Sequence, residues 1–131
     1  MPDIHYEQSP KLSVDDYIDI LKRSTLAERR LIDQPELMQE AVEQADVIVT
    51  ARQDGLLVGI ARSLTDYSAC VYVADLAVDE KFQGQGIGKR LLDLTHEISG
   101  LHTKMILLAA PKAETYYPHI GMTQHYSCWI R

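Results

Sequence analysis

Asp75-Leu76-Ala77-Val78-Asp79-Glu80-Lys81-Phe82-Gln83-Gly84-Gln85-Gly86-Ile87-Gly88-Lys89 decides how this chain folds. The residues leading into it, Cys70 to Val78, are dense in β-branched and aromatic side chains and predict a central strand. Beyond it, Ile87, Leu91, Leu94 and Ile98 recur at helical spacing, and Gly100 ends the helix they predict. Between strand and helix, Gly84, Gly86 and Gly88 stand at alternate positions, so backbone can approach a ligand without Cβ atoms in the way. The first N–H groups of the helix have no internal partner and form an anion cradle with its dipole. Lys81, Lys89 and Arg90 add positive charge, and a pyrophosphate is the expected guest.

Three glycine-loop patterns compete for this stretch. A P-loop requires G-x-x-x-x-G-K-[ST], but Gln83 and Arg90 occupy its two ends when it is aligned on Gly88-Lys89. A dinucleotide fingerprint G-x-G-x-x-G requires glycine where Lys89 stands. The third pattern, [QR]-x-x-G-x-[GA] after a strand that ends in an apolar triplet, is met by Gln83, Gly86 and Gly88 behind Leu76-Ala77-Val78. In these residues the chain resembles the GNAT superfamily of acyl-CoA transferases. Tyr116-Tyr117-Pro118-His119-Ile120-Gly121-Met122 extends the likeness, because it is similar to the family's F-Y-x-x-x-G-F with Tyr116 and Met122 at the two Phe positions. The resemblance is good over residues 70–122 and covers 1–69 only as an order of elements.

Outward from this core, residues 4–8 alternate and predict a short strand. Ser13 caps a first helix with Asp15 and Asp16 in its first turn, and Pro35 opens a second, with Leu37, Met38, Ala41, Val42 and Ala45 on one face. Residues 47–53 and 56–63 form a hairpin about Asp54-Gly55. After the third helix come a buried strand over 104–110, one short helix over 112–119 and a last strand over 123–131. The crossover from 70 to 110 makes two neighbouring parallel strands. The expected class is α/β (α+β): a GNAT-type mixed, mostly antiparallel sheet with helices on both faces. Residues 1–131 are read as one domain, with a CoA-binding core over 70–122.

What the resemblance implies is an acetyl-CoA-dependent N-acetyltransferase. The central parallel pair would splay for the cofactor. The pantetheine arm would pair with Leu76, Ala77 and Val78, and the pyrophosphate would lie on Gln83, Gly84, Gln85, Gly86, Ile87, Gly88 and Lys89. A bound primary amine of a small molecule would attack the thioester directly in a ternary complex. Tyr117 matches the family tyrosine that protonates the departing thiolate, and Tyr116 is expected in the core. Asp75, an acid in a central strand where burial is expensive, is the candidate base or substrate anchor. His119 is a lesser proton-relay candidate, and His96 and His102 read as surface residues. Two other readings stay open: a catalytically degenerate CoA-binding sensor module, and a protein N-terminal or lysine acetyltransferase.

Bulk properties bound these readings. The chain has 131 residues, 46% apolar and 24% charged, with a net charge of −6. Such an acidic chain suits no nucleic-acid partner, and steering favours a cationic amine. The longest apolar run, Met105 to Ala110, is too short to span a bilayer, and Met1 to Tyr6 carry no secretory pattern. With Cys70 and Cys128 read as reduced, strand-borne residues, a cytoplasmic location is expected. No spacing of His and Cys suggests a metal. The acceptor is expected to contact residues 13–45, including Glu28, Arg29, Arg30 and Asp33. A homodimer is expected if the last strand leaves a sheet edge open, with Trp129 at the interface.

Overall fold

The structure is a computed structural model that describes residues 3–9 and 11–131, and for residues 27 and 28 the backbone alone. The expectations for Met1, Pro2 and the side chain of Glu28 lie outside the described residues. Strand β1 (Ile4–Gln8) is followed by helices α1 (Val14–Arg23) and α2 (Pro35–Gln44), with a 3-10 turn, Leu26–Arg29, between them. Then come β2 (Val47–Gln53), β3 (Leu56–Thr65), β4 (Cys70–Val78), α3 (Ile87–Ser99), β5 (Lys104–Leu107) and the single turn α4 (Tyr116–His119). The strands form one sheet in the order β1-β2-β3-β4-β5. Its first three pairings are antiparallel and β4–β5 is parallel.

Local chemistry accounts for the element ends. The Ser13 hydroxyl accepts from the Asp16 N–H and caps α1. Pro35 sits in the first turn of α2, where its missing N–H costs nothing. Asp54 and Gly55 both take positive φ, 50° and 83°, as a two-residue type I′ hairpin requires. Gly100, at φ 109°, ends α3 with its N–H on His96 O.

Helices cover both faces of the sheet. Tyr17, Ile20 and Leu21 of α1 and Met38 and Val42 of α2 pack with Ile48, Leu57, Ile60 and Ala77. Ile87 and Leu91 of α3 pack on the opposite face with Val47, Val49, Ala51, Val58 and Ala61. The alternation of β2 and β3 divides their apolar residues between these two cores, and it breaks once in β3, where the register with β2 shifts at Val58 and puts Val58 and Ile60 on opposite faces.

A single irregularity sets the course of β4. Arg62 lies opposite Asp75, but Ser63 lies opposite Val73, so Ala74 is an extra residue in β4. This is a β-bulge, which bends a strand and ends its regular pairing. The parallel pairing of β4 with β5 runs from Cys70–Lys104 to Val73–Leu107 and stops there. Beyond the bulge, β4 keeps β3 on one side and, among the described residues, has no strand on the other.

The C-terminal third departs from the sequence reading. The strand expected over 104–110 ends at Leu107 and is half-exposed, because β5 is an edge strand whose pairing stops at the bulge. The helix expected over 112–119 is a 3-10 turn, Pro111–Ala113, followed by α4. The strand expected over 123–131 does not form. Tyr126 and Ser127 make a turn and the segment stays exposed. Tyr126, Cys128 and Ile130 do alternate, but the segment pairs with no described strand, and Tyr126, Trp129 and Ile130 stay exposed. Cys128 is therefore exposed and not strand-borne, while Cys70 is half-buried in β4.

Candidate active site

The glycine loop follows β4 directly. Asp79 closes the strand with its N–H on Val58 O and caps a 3-10 turn, Glu80–Phe82, by accepting the Lys81 N–H. Gln83 turns back and donates its side-chain amide to Val78 O at 3.0 Å. Gly84 and Gly86 both sit at φ 81°, and a Cβ added at either would meet nothing within 4 Å. These glycines therefore serve the left-handed backbone, and the space above them is open. Among the described hydrogen bonds, none uses the backbone N–H of any residue from Gln83 to Gly88, while the Lys89 N–H faces the Tyr116 hydroxyl. Six adjacent donors leading into a thirteen-residue helix make a backbone suited to an anion.

Gly88 is different. Its φ is ordinary, but a Cβ there would lie 2.6 Å from the Tyr116 hydroxyl. Tyr116, expected in the core, is half-buried and reaches across to the first turn of α3. Burial pushes its phenol pKa up, while the Lys89 charge pulls the other way. Tyr117 packs edge-on against it, with ring centroids 5.3 Å apart.

Tyr117 enters the gap opened by the bulge. It lines a cavity of about 60 Å³ with Ala74, Leu76 and Leu107 of the parting strands and with Leu26, Arg29 and Arg30. Burial raises its pKa above the usual phenol value and the neighbouring Tyr116 adds to this, while the charge of Arg29 pulls it down. The hydroxyl therefore remains protonated at neutral pH.

Asp75 sits behind this cavity with its side chain fully buried. Its Oδ2 accepts from Tyr17 Oη and from Arg62 Nε, each at 2.5 Å, and its Oδ1 accepts from Arg30 Nε at 2.6 Å. Both oxygens are thus committed. Tyr17 is raised well above the ordinary phenol pKa, first by burial and then by the Asp75 charge. Arg30 also donates to Ala74 O, the carbonyl of the bulged residue, at 2.7 Å. Arg62 reaches Ala41 O in α2. One carboxylate therefore ties α1, α2, the turn after α1 and the bulge of β4 together.

Sequence reasoning expected an acid here without its partners. The sequence reading singled out neither Tyr17 of the first helix nor Arg62 of the hairpin strand over 56–63. The available signal was the cost of burying Asp75, which demands a cation, and Arg62 is its direct cross-strand neighbour. Of the histidines, His119 is exposed, as is His102, whose ring meets Tyr67 O. His96 is half-buried against Thr103 O at 2.8 Å. Among the described residues no group of three or more His, Cys, Asp or Glu is placed to hold a metal, and no helix is long and apolar enough to cross a membrane.

A bulged and splayed parallel pair, with an anion cradle at its mouth and a phenol in its gap, defines the class as an acyl-CoA-type transferase fold. The family model described as Acetyltransferase (GNAT) domain matches residues 21–127. The chain belongs to the GNAT family of acetyltransferases. No curated protein matches it in sequence. Solved structures share its fold at low identity. A GNAT-family acetyltransferase of Streptococcus pneumoniae has a TM-score of 0.75 at 20% identity, over 98% of each chain. Aminoglycoside N-acetyltransferase AAC(6')-Iy, in complex with CoA, has a TM-score of 0.76 at 17% identity, over 100% of this chain and 95% of that one. An aminoglycoside acetyltransferase from an uncultured soil metagenomic sample, in complex with sisomicin, has a TM-score of 0.68 at 20% identity, over 98% of this chain and 97% of that one.

Proposed function

We propose that residues 1–131 act as one N-acetyltransferase domain that moves the acetyl group of acetyl-CoA to a primary amine of a small molecule. The observation that carries this reading is the gap beside β4, which begins at the Ala74 bulge and holds Tyr117. The edge of β4 beyond Val73 offers Leu76, Ala77 and Val78 to a pantetheine arm, much as an edge accepts an added strand. The free N–H groups from Gln83 to Gly88, with the Lys89 charge beside them, suit the pyrophosphate. A likeness in fold to a CoA-bound acetyltransferase supports the same placement.

In this reaction the amine nitrogen attacks the thioester carbonyl, with an N–H of Leu76 or Ala77 as oxyanion donor. The C–N bond forms and the C–S bond breaks. The thiolate takes a proton from the Tyr117 hydroxyl, and the amine gives its proton to water. No covalent enzyme intermediate is needed, and proximity supplies much of the rate. Asp75 has no oxygen to spare for proton abstraction. Its part is to anchor Tyr17, Arg30 and Arg62, and through Arg30 to hold the bulge.

Calorimetry and thiol release test the proposal. CoA and acetyl-CoA should bind, and NAD and ATP should not bind comparably. Thiol release across an amine panel separates an enzyme from a CoA-binding module: tight CoA binding without turnover of any amine would leave only the module. A homodimer belongs to the same reading. β5 offers one unpaired edge, Ile106 and Leu108 are exposed near it, and Trp129 is 93% exposed. A monomer by light scattering at high concentration would exclude it.

A further inference from the structure

The cavity beside Tyr117 carries information about the acceptor. Its cations are Arg29 and Arg30, and no carboxylate lines it among the described residues. Arg30 is spent. Its Nε is on Asp75, its Nη2 on Ala74 O and its Nη1 on Arg29 O at 3.0 Å. These bonds fix the turn after α1 against β4, and they pin the Arg29 backbone by its carbonyl. The Arg29 side chain is exposed and has no ion-pair or hydrogen-bond partner among the described residues. A guanidinium with no partner among the described residues thus stands, on a fixed backbone, at the mouth of the gap.

The charge balance behind it points the same way. Arg30 and Arg62 face the single carboxylate of Asp75, so the buried cluster carries a net positive charge. Arg29 adds to it. The chain's overall charge of −6 argues for a cationic acceptor only at long range. At physiological salt, charges separated by more than about 8 Å are largely screened, so local groups decide. A polycationic acceptor would bring ammonium groups to arginines. An acceptor with a carboxylate close to its amine would be matched, because the planar guanidinium takes a carboxylate through two parallel hydrogen bonds. Size agrees. A cavity of about 60 Å³ admits the amine and its first carbons and leaves the carboxylate at the mouth.

Resting on the acetyltransfer reading, we infer that the acceptor is a small amino acid-like molecule whose carboxylate is held by Arg29 while its amine faces the thioester beside Tyr117. Arg29 is a specificity-determining residue in this assignment, distinct from the cofactor cradle.

The test compares amino acids with their own carboxamides as acceptors, alongside a polyamine and an aminoglycoside. Thiol release from acetyl-CoA gives the rate, and calorimetry follows CoA separately. The best amino acid should exceed its carboxamide by about 10- to 100-fold in kcat/KM, the range of a lost charge-assisted pair. Arg29→Gln should erase that difference, mainly through KM of the amino acid, with CoA affinity retained. Arg29→Lys should restore part of it. Equal use of acid and amide, preference for the polycations, or equal loss on both in Arg29→Gln would overturn the assignment while acetyl transfer stands. Absence of CoA binding, or of thiol release with every acceptor, would remove the acetyltransfer reading and this one with it.

Discussion

Replacing Asp75 by Asn keeps the side chain's shape and removes its charge, which makes it the sharpest probe of the buried cluster. The Asp75 oxygens accept from three donors at 2.5–2.6 Å. An asparagine has one acceptor oxygen and one donor nitrogen. In one orientation its NH₂ would face both Tyr17 Oη and Arg62 Nε, and in the other it would face Arg30 Nε. Either way a donor meets a donor, and two largely buried guanidinium groups lose their counter-charge. Breaking a buried pair from one side costs about 3–5 kcal/mol. With an unfolding entropy of about 2.1 cal/mol/K per residue, 131 residues give roughly 0.28 kcal/mol/K, so Tm should fall by about 11–18 °C. Scanning calorimetry measures this directly. Arg62→Met in the Asp75→Asn background should recover part of the loss, because one of the two stranded charges is gone. If Asp75→Asn lowers Tm by less than about 3 °C while kcat drops about 100-fold or more, Asp75 is a reacting group and the anchoring argument is wrong.

Four further outcomes are expected. Gly86→Glu forces a side chain onto a backbone at φ 81° and sets a negative charge in the cradle, so CoA binding should vanish in calorimetry while circular dichroism stays folded; unchanged affinity would move the cofactor elsewhere. Tyr117→Phe should keep CoA binding and lower kcat by up to ~10²–10⁴-fold. Because the Tyr117 pKa is raised, the wild-type rate should fall only as pH rises past the usual phenol value of about 10, and the Phe variant should lack that limb; an identical limb in both would make Tyr117 structural. Gly88→Ala places a Cβ 2.6 Å from the Tyr116 hydroxyl and should destabilise the fold, and Tyr116→Phe should rescue it; equal Tm in the single and double variants would mean that the contact is not the cause. Burial raises the Asp79 carboxyl pKa, but the Lys81 N–H and Arg23 outweigh it and the net shift is downward, so the bridge to Arg23 adds stability above about pH 4 that is lost as pH falls through the folded pKa. Asp79→Asn should remove that part of the acid dependence in urea titrations at pH 3 to 6, and an unchanged slope would discount the bridge.

Strong local signals made most of the fold legible in the sequence. Asp54-Gly55 between two alternating runs admits little but a hairpin, Pro35 and Ser13 mark helix starts through their own hydrogen-bonding chemistry, and the 87–98 period places α3. Each is a short-range rule that tertiary contacts reinforced. The segment 104–131 failed because its outcome depends on neighbours. Met105 to Ala110 reads as a buried run, but pairing ends at Leu107, and the cause is an extra residue in β4. A bulge at Ala74 leaves no trace in composition or period, since the alternation of Cys70 to Val78 looks unbroken.

The same bulge explains which parts of the site were legible. The cradle is a sequence-local object: Gln83 to Lys89 carry their own glycines, their own helix start and their own charges, so a pattern of residue types suffices to find it. The acceptor side is assembled from four separate stretches, Tyr17, Arg29-Arg30, Arg62 and Asp75, and none is distinctive alone. The physical link among them is the desolvation of one carboxylate. A buried acid at position 75 must collect donors, and the nearest are a cross-strand arginine and an arginine from the turn after α1. Once Arg30 is drawn inward to Asp75 and the bulged Ala74 carbonyl, its neighbour Arg29 is left at the mouth of the gap. On the proposed assignment of Arg29, acceptor charge preference is set by how Asp75 is neutralised. A chain that met the same burial cost with one inward arginine and an acid in place of Arg29 would keep the fold and the cradle, and would present the opposite charge to its acceptor.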